Sequence, residues 1–297
     1  MQNCNPRIAI ILLNYCNYQD TLQCVDSLKK INYDNYYVLI VDNASDNQSM
    51  SVLQKIENDR ITVVSSGKNG GFAYGNNYAI DIASKRGYDF VLLLNNDTLV
   101  DADFLNKLVA ANVDVACDMK VGMLTSRIMF YPDTEKVWYA GGKVDWNNLR
   151  AIQEGYNYEH SDHHSKNKTV TFASGCCMLI SKEVIKNVGK LPEDYFMYYE
   201  DLDYCVQVTD AGYGILYVTD SIMYHCVSSS SGGQESPFVV EWTARSRRKF
   251  FRKYKHKMSP VKGKIVCLKC ECRALIKILL GKNRIKKINA YIWSFTG

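Results

Sequence analysis

Apolar residues in this chain fall in short runs without alternation, and each run is closed by polar residues. Arg7–Leu13 (RIAIILL) breaks at Asn14-Tyr15, and Tyr37–Val41 ends in Asp42-Asn43-Ala44-Ser45-Asp46. Ile61–Val64 opens into Gly67-Lys68-Asn69-Gly70-Gly71-Phe72, and Val91–Leu94, inside Phe90–Val100, stops at Asn95-Asn96-Asp97. Runs this short suit strands buried on both faces of a sheet. Between them lie helical patterns: Leu22, Val25, Leu28 and Ile31 share one face of Thr21–Ile31, and further helices are predicted near Val52–Ile56 and over Ala73–Lys85. Strand–helix alternation with short connections predicts an α/β fold built on a parallel, doubly wound sheet. All the polar strand endings then share one rim, where ligands of open α/β sheets collect.

The second half is less regular. Val121–Gly142 reads as a strand, a loop and VWYAGG, the last carrying Trp138. Asp145–Lys168 is polar, and its His160, His163 and His164 sit in EHSDHHSKNK, a composition that fits a surface loop better than a metal site. Val170–Ile180 is strand-like around Ser174-Gly175, Glu183–Val188 is a short helix ended by Gly189, and Glu200–Ala211 is a helix closed by Gly212. Glu200 and Asp201 fall in that helix's first turn, where the dipole favours ionised carboxylates; acids there are also ordinary helix chemistry. Ile222–Cys226 is a short strand carrying His225, followed by the polar loop VSSSSGGQESP. A single histidine in such a place is more often structural than a ligand.

From Pro237 onward the pattern is helical and basic. Ile265, Leu268, Cys272, Leu275, Ile276 and Leu279 share one helical face, which suits either an anionic membrane interface or packing on the domain. Charge sharpens this division. Arg245–Gly297 holds 17 Lys/Arg and one acid, Glu271, or +16; the remaining 19 Lys/Arg and 30 Asp/Glu make the rest −11, for a total of +5. Such asymmetry implies a tail that meets something anionic: nucleic acid, a phospholipid surface or a phosphorylated substrate. The acidic body, with no aromatic-and-basic platform, argues against nucleic acid.

The length of 297 residues, 47% apolar and 23% charged, fits one large α/β domain plus an appendage. The start MQNCNPRIAIILLNY has neither a cationic head nor a cleavage site, and no apolar run approaches the roughly 18–20 residues of a spanning helix. The expectation is a cytoplasmic protein, soluble or peripheral on the inner face of the membrane. Eleven cysteines without an export signal read as reduced thiols. Cys267, Cys270 and Cys272 have only His256 nearby, short of a four-ligand zinc knuckle, so buried or idle thiols are expected.

Neither G-x-G-x-x-G nor G-x-x-x-x-G-K-[ST] follows any strand, so dinucleotide and P-loop sites are not indicated. Asn69–Gly71 could bring backbone amides to a phosphate, or simply turn the chain. In Asn95-Asn96-Asp97, a carboxylate beside two amides can hold a divalent cation and orient hydroxyls, although the same residues favour turns.

Taken in order, VDNASDN, NGGFAYGNN, LLLNNDT, ASGCCMLISKEVI, FMYYEDLDYC, YHCVSSS and WTARS resemble the family 2 glycosyltransferases of the GT-A fold. The similarity is strongest to bacterial rhamnosyltransferase-like members that build surface polysaccharides, and it runs from Ile8 to about Tyr254. It implies a GT-A (Rossmann-like) mixed, mainly parallel sheet flanked by helices, with a basic helical C-terminal extension. Residues 1–236 would form the catalytic domain, with a nucleotide-binding half to about 120 and an acceptor half after it; 237–297 would be the helical region.

The resemblance also implies roles. Asn14 and Asp42 would meet the nucleobase of a UDP- or dTDP-linked sugar, Asp42 accepting the pyrimidine N3–H. Asn69 and Gly71 would line the ribose–phosphate path. Asn95-Asn96-Asp97 stands in place of the family's Asp-x-Asp, so Asp97 would carry the contact to a divalent cation (Mn or Mg), with His225 adding to that shell. Asp201 would be the general base, with Glu200 and Trp138 on the acceptor side. Arg245 matches the Arg of an Arg-Asn pair whose Asn is Ser246 here.

Sugar transfer requires neutralising a departing diphosphate and removing the acceptor's proton, and one base opposite one leaving group implies inversion. No Gln-x-x-Arg-Trp segment of processive synthases occurs, so addition of one sugar to a glycan or lipid-linked acceptor is expected. The alternatives are a nucleotidyltransferase, disfavoured because NYCNYQD replaces a Gly-rich, Arg-bearing first loop, and a non-catalytic glycan-binding module.

Overall fold

The computed structural model describes residues 5–113, 120–159, 166–226, 236–280 and 283–295. Its first half alternates strand and helix as the apolar runs dictate: β1 (Ile8–Asn14), α1 (Tyr18–Leu28), β2 (Tyr36–Asp42), α2 (Ser49–Leu53), β3 (Ile61–Ser65), α3 (Gly71–Arg86) and β4 (Phe90–Asn95). The strands β3, β2, β1 and β4 lie side by side, all parallel, with Leu12 opposite Ile40 on one side and Leu94 on the other. Every residue from Ile8 to Leu12 is buried, which is why these strands show no alternation.

Beyond β4 the sheet becomes mixed. The chain makes a short β5 (Thr98–Val100), α4 (Phe104–Val113), β6 (Val121–Phe130) and β7 (Val137–Tyr139), then a hairpin of β8 (Gly142–Asp145) and β9 (Arg150–Gln153). It continues through β10 (Lys168–Val170), β11 (Cys177–Ser181), α5 (Lys182–Asn187), α6 (Glu200–Asp210) and β12 (Gly214–His225). β11 enters antiparallel between β4 and β6, β6 runs parallel to β12, and β5 pairs antiparallel with the far end of β12. The basic region is three helices, α7 (Pro237–Tyr254), α8 (Pro260–Leu280) and α9 (Arg284–Trp293).

Three expectations change. The single strand predicted over Val170–Ile180 is two, β10 and β11, in different places in the sheet; the turn at Ser174-Gly175, closed by Cys177 N–H on the Ser174 carbonyl at 3.0 Å, separates them. The strand predicted at Ile222–Cys226 is the end of the twelve-residue β12, whose register shifts between Val218 and Ile222 and so interrupts the apolar pattern. The loop predicted over Asp145–Lys168 contains the turn and second strand of the β8–β9 hairpin, pinned where Trp146 stacks on Phe250 with centroids 5.7 Å apart. The histidines at 160, 163 and 164, and residues 227–235 of the polar loop after His225, lie outside the described residues.

Helix α8 meets the body through Gly263, Val266, Cys270 and Ile278. At 3.6 residues per turn, the apolar stripe Ile265–Leu268–Cys272–Leu275–Ile276–Leu279 points the other way, and each of its members is exposed. The packed-on-the-domain reading therefore fails for that stripe. The same geometry turns Cys270, whose thiol donates to the Asn148 carbonyl, away from exposed Cys272. Among the described residues no helix is long and apolar enough to cross a membrane.

Candidate active site

The polar ends of the central strands form one bonded network. The Asn14 amide donates to Asp42 Oδ1 at 2.7 Å while its carbonyl accepts from Thr21 at 2.9 Å. Ser45 donates to the same Asp42 through its hydroxyl (2.6 Å) and its N–H (3.0 Å). Asn14 is wholly buried, and with a further contact to Ser45 its amide is spent on protein partners; it orients Asp42 from beneath. Asn43 continues the network, donating to Asn69 Oδ1 at 3.0 Å and to the Gly71 carbonyl at 3.2 Å. Asn69 Oδ1 also accepts from Gly71 N–H at 3.1 Å.

Gly71 begins α3 at φ +89°, a conformation that favours glycine. A methyl group there would meet the Phe196 carbonyl oxygen at 2.0 Å, so the missing side chain is what lets α3 abut the segment leading to α6. Phe72 N–H bonds to that same carbonyl at 3.1 Å.

Asn96 and Asp97 form the turn that carries the chain from β4 into β5. Asn96 is held by Thr21 Oγ1 at 2.9 Å, and Asn95 N–H donates to the Cys176 carbonyl at 3.0 Å. Because β5 pairs with β12, Asp97 faces His225: Oδ1 and Nε2 are 3.2 Å apart. The other ring nitrogen of His225 is buried without a hydrogen bond among the described residues. Trp138 stands edge-on to this imidazole at 4.6 Å, so it joins the same cluster. One carboxylate oxygen and one imidazole nitrogen, both partly buried, suit a divalent cation that takes its other ligands from a diphosphate and water. Among the described residues no third His, Cys, Asp or Glu completes a protein-only cage.

Gly175 links this cluster to the acids of α6. The turn at 174–176 touches Asn95 through the Cys176 carbonyl, and Gly175 N–H donates to Asp201 Oδ2 at 3.1 Å. A second N–H, from Leu202, bonds Asp201 Oδ1 at 2.7 Å. Burial pushes the Asp201 carboxyl above its ordinary range while the two N–H groups pull it back. Burial pushes Glu200 much further, helped by the charge of Asp201, and Glu200 Oε2 has no hydrogen-bond partner among the described residues. The two backbone N–H groups favour negative charge on Asp201, and nothing comparable reaches Glu200 Oε2 among the described residues. The turn before them is strained: Tyr198 and Tyr199 adopt φ of +67° and +72°, in the left-handed region that non-glycine residues avoid.

Arg245 does not join the cluster. Its guanidinium donates to the Trp293 carbonyl at 2.8 Å, pairs with Glu241 at 3.1 Å and lies over the Trp242 ring, ties internal to the C-terminal helices. Neighbouring Ser246 bonds the Met197 carbonyl at 2.8 Å, and Trp242 packs on Phe196 at 4.5 Å, so α7 reaches the site through the 196–199 segment. Asn43, Ser45, Gly175 and Tyr199 carry much of this geometry without having been given roles from sequence. Asn43 and Ser45 were signalled by the density of polar residues after β2; nothing local marks the others.

The profile described as Glycosyl transferase family 2 matches residues 8–189. The chain belongs to that family. As a family 2 glycosyl transferase it is 24% identical over 231 residues to the dTDP-rhamnosyl transferase RfbF of Shigella flexneri, covering 76% of this chain and 71% of that protein. It is 27% identical over 205 residues to the low-salt glycan biosynthesis hexosyltransferase Agl10 of Haloferax volcanii, covering 67% and 60%. It is also 27% identical over 253 residues to the uncharacterized protein y4gI of Sinorhizobium fredii, covering 82% of this chain but about a quarter (26%) of that one. Two solved structures share the fold. The mannosyltransferase PcManGT of Pyrobaculum calidifontis, solved with GDP-Man and Mn2+, gives a TM-score of 0.59 at 17% identity over 98% of this chain and 74% of that one. GalNAc-T7, solved with UDP, GalNAc and Mn2+, gives 0.63 at 16% identity over 86% and 50%. The GT-A fold expected from the motifs is thus the fold found.

Proposed function

We propose that this family 2 glycosyl transferase moves one sugar from a UDP- or dTDP-linked donor to a glycan or lipid-linked acceptor of surface polysaccharide synthesis, with inversion at the anomeric carbon. The observation that carries this reading is the 174–176 turn. It bonds the end of β4 beside Asp97 on one side and Asp201 on the other, which supports reading the two acids as the leaving-group and base ends of one site.

The donor's pyrimidine would lie against Asp42, aligned by Asn14 and Ser45, with its ribose and phosphates along Asn69 and Gly71 and across Asn95-Asn96. Asp97 and His225 would hold a divalent cation, Mn2+ or Mg2+, which supplies charge neutralisation for the departing diphosphate. Asp201 would accept the acceptor hydroxyl's proton, a role its ionised state and two backbone N–H contacts suit. Protonated Glu200 would donate a hydrogen bond to an acceptor oxygen, with Trp138 presenting an apolar face for a sugar ring. Donor recognition would fall to the half up to about residue 120, and acceptor recognition to the half from about 121 to 236. No nucleophile for a covalent intermediate is invoked, so displacement is direct.

The direct test is turnover across a panel of nucleotide-sugars with Mn2+, alongside calorimetry of the free nucleotides. Uracil or thymine nucleotides should bind in a Mn2+-dependent way that Asp97→Ala abolishes. Absence of binding by every nucleoside diphosphate would leave only a glycan-binding module.

A further inference from the structure

The outer surface of the C-terminal helices differs from the rest of the molecule. Among the described residues, every exposed valine, leucine or isoleucine lies between Val261 and Ile292. On α8 they include Val261, Ile265, Leu268, Leu275, Ile276 and Leu279, between 42% and 70% exposed. At 3.6 residues per turn these six fall within about 100° of arc, one continuous stripe. The helix has its packed seam elsewhere. Gly263, Val266, Cys270 and Ile278 are buried, Ile278 against Ala244 and Tyr291. The stripe is thus a second apolar face, and exposed apolar surface of this extent marks a contact with something outside the fold.

Charge borders the stripe. Lys262 and Lys269 fall along one edge and Lys264 along the other, all three exposed. The one acid of the basic segment, Glu271, is turned inward, 3.2 Å from Arg247 and 2.9 Å from Arg248. No negative charge therefore stands on the outer side of α8. Helix α9, which packs on α8 through Tyr291, exposes Ile285 and Trp293 as well.

This charge pattern selects the partner. A bilayer takes an apolar stripe into its interface while flanking lysines extend their stems to bring ammonium groups to lipid phosphates. A second copy packed face to face would instead bring two segments of +16 together, against their mutual repulsion. Because no described helix is long and apolar enough to cross a membrane, α8 would lie in the plane of the surface.

We infer that the outer face of α8 docks on an anionic lipid bilayer, with the stripe from Val261 to Leu279 in the interface and Lys262, Lys264 and Lys269 at the headgroups. The surface shares no residue with the donor and base positions, so it stands or falls apart from the sugar-transfer reading.

The test is co-flotation of the full chain with vesicles of phosphatidylcholine alone and of phosphatidylcholine mixed with phosphatidylglycerol. The chain should float with the anionic vesicles and not with the neutral ones, and less so as salt rises. Leu268→Ser with Ile276→Ser removes apolar surface without changing charge. It should weaken binding to the anionic vesicles by at least about tenfold at an unchanged melting temperature. Lys262→Gln, Lys264→Gln and Lys269→Gln together should weaken it by about tenfold or more and flatten the salt dependence. Undiminished binding by the serine variant would mean that bulk positive charge alone attracts the chain, and would overturn the docking of α8. Equal binding to neutral vesicles would overturn the anionic surface, and no binding to either at low salt would overturn the inference outright. In that last case, a wild-type dimer in sedimentation that the serine variant lacks would assign the stripe to a second copy.

Discussion

At the scale of single residues, the site depends on acids whose surroundings differ over one peptide bond. Asp201 has two backbone N–H partners, whereas Glu200 Oε2 is buried with none among the described residues. A carboxyl raised in the folded state binds its proton more tightly there than in the unfolded chain. Stability is then lost as pH rises from the ordinary carboxyl range towards the raised value. Glu200→Gln should therefore gain stability over the wild type as pH goes from 5 to 8, by on the order of 1–3 kcal/mol, in urea titrations at the two pH values. A gap that stays constant or shrinks would mean Glu200 is ionised in the native protein. Gly71 is the other sharp case. Gly71→Ala must move a backbone carbonyl and strain φ together, so we expect a loss of at least about 2 kcal/mol, with donor binding impaired even where the variant folds. An unchanged melting temperature would contradict that packing.

At the scale of elements, α6 carries the acids and α7 fixes α6. Asp203 is fully buried and accepts from Tyr195 at 2.8 Å, Tyr254 at 2.6 Å and Lys253 at 2.8 Å, tying the two helices together. Removing this charge leaves two buried phenols without their acceptor, while Lys253, 40% exposed, can turn to water. Asp203→Ala should cost about 2–4 kcal/mol by chemical denaturation, and a cost under about 1 kcal/mol would show that α7 docks by its aromatic contacts alone. Elements of this kind differ in how far the sequence reveals them. β1, β2 and β4 were legible because double-sided burial leaves unbroken apolar runs, and the polar residues closing them placed the rim. The β8–β9 hairpin was not, since four-residue strands of mixed polarity carry no period. Nor could the sequence say which side of α8 faces the protein, because Gly263, Val266 and Cys270 make a second seam opposite the conspicuous stripe. The left-handed turn at Tyr198-Tyr199 is invisible for a different reason: it is imposed by tertiary contacts, among them the Tyr199 hydroxyl on the Leu149 carbonyl at 2.6 Å, against local preference.

At the scale of the molecule, the sheet and the charge distribution divide the work. A mostly parallel first half gathers the strand ends proposed to meet the donor, and the antiparallel insertion of β11 lays the 174–176 turn across them to meet α6. The described part of the +16 segment is folded as a helical cover, four of whose 17 Lys/Arg (Arg247, Arg273, Lys277 and Lys287) line a cavity while its apolar stripe turns outward. Arg245, matched by motif to donor binding, is used within this cover, and Arg245→Ala should lower the melting temperature more than it changes nucleotide affinity. A loss of affinity at unchanged melting temperature would restore it to the donor site.

The central claim is that Asp201 acts as the base in the crevice that Asp97 borders. The most direct measurement is sugar transfer by Asp201→Asn beside its Mn2+-dependent binding of the donor nucleotide. Transfer should fall by about 10²–10⁴-fold with nucleotide affinity unchanged. Transfer at the wild-type rate would contradict the account.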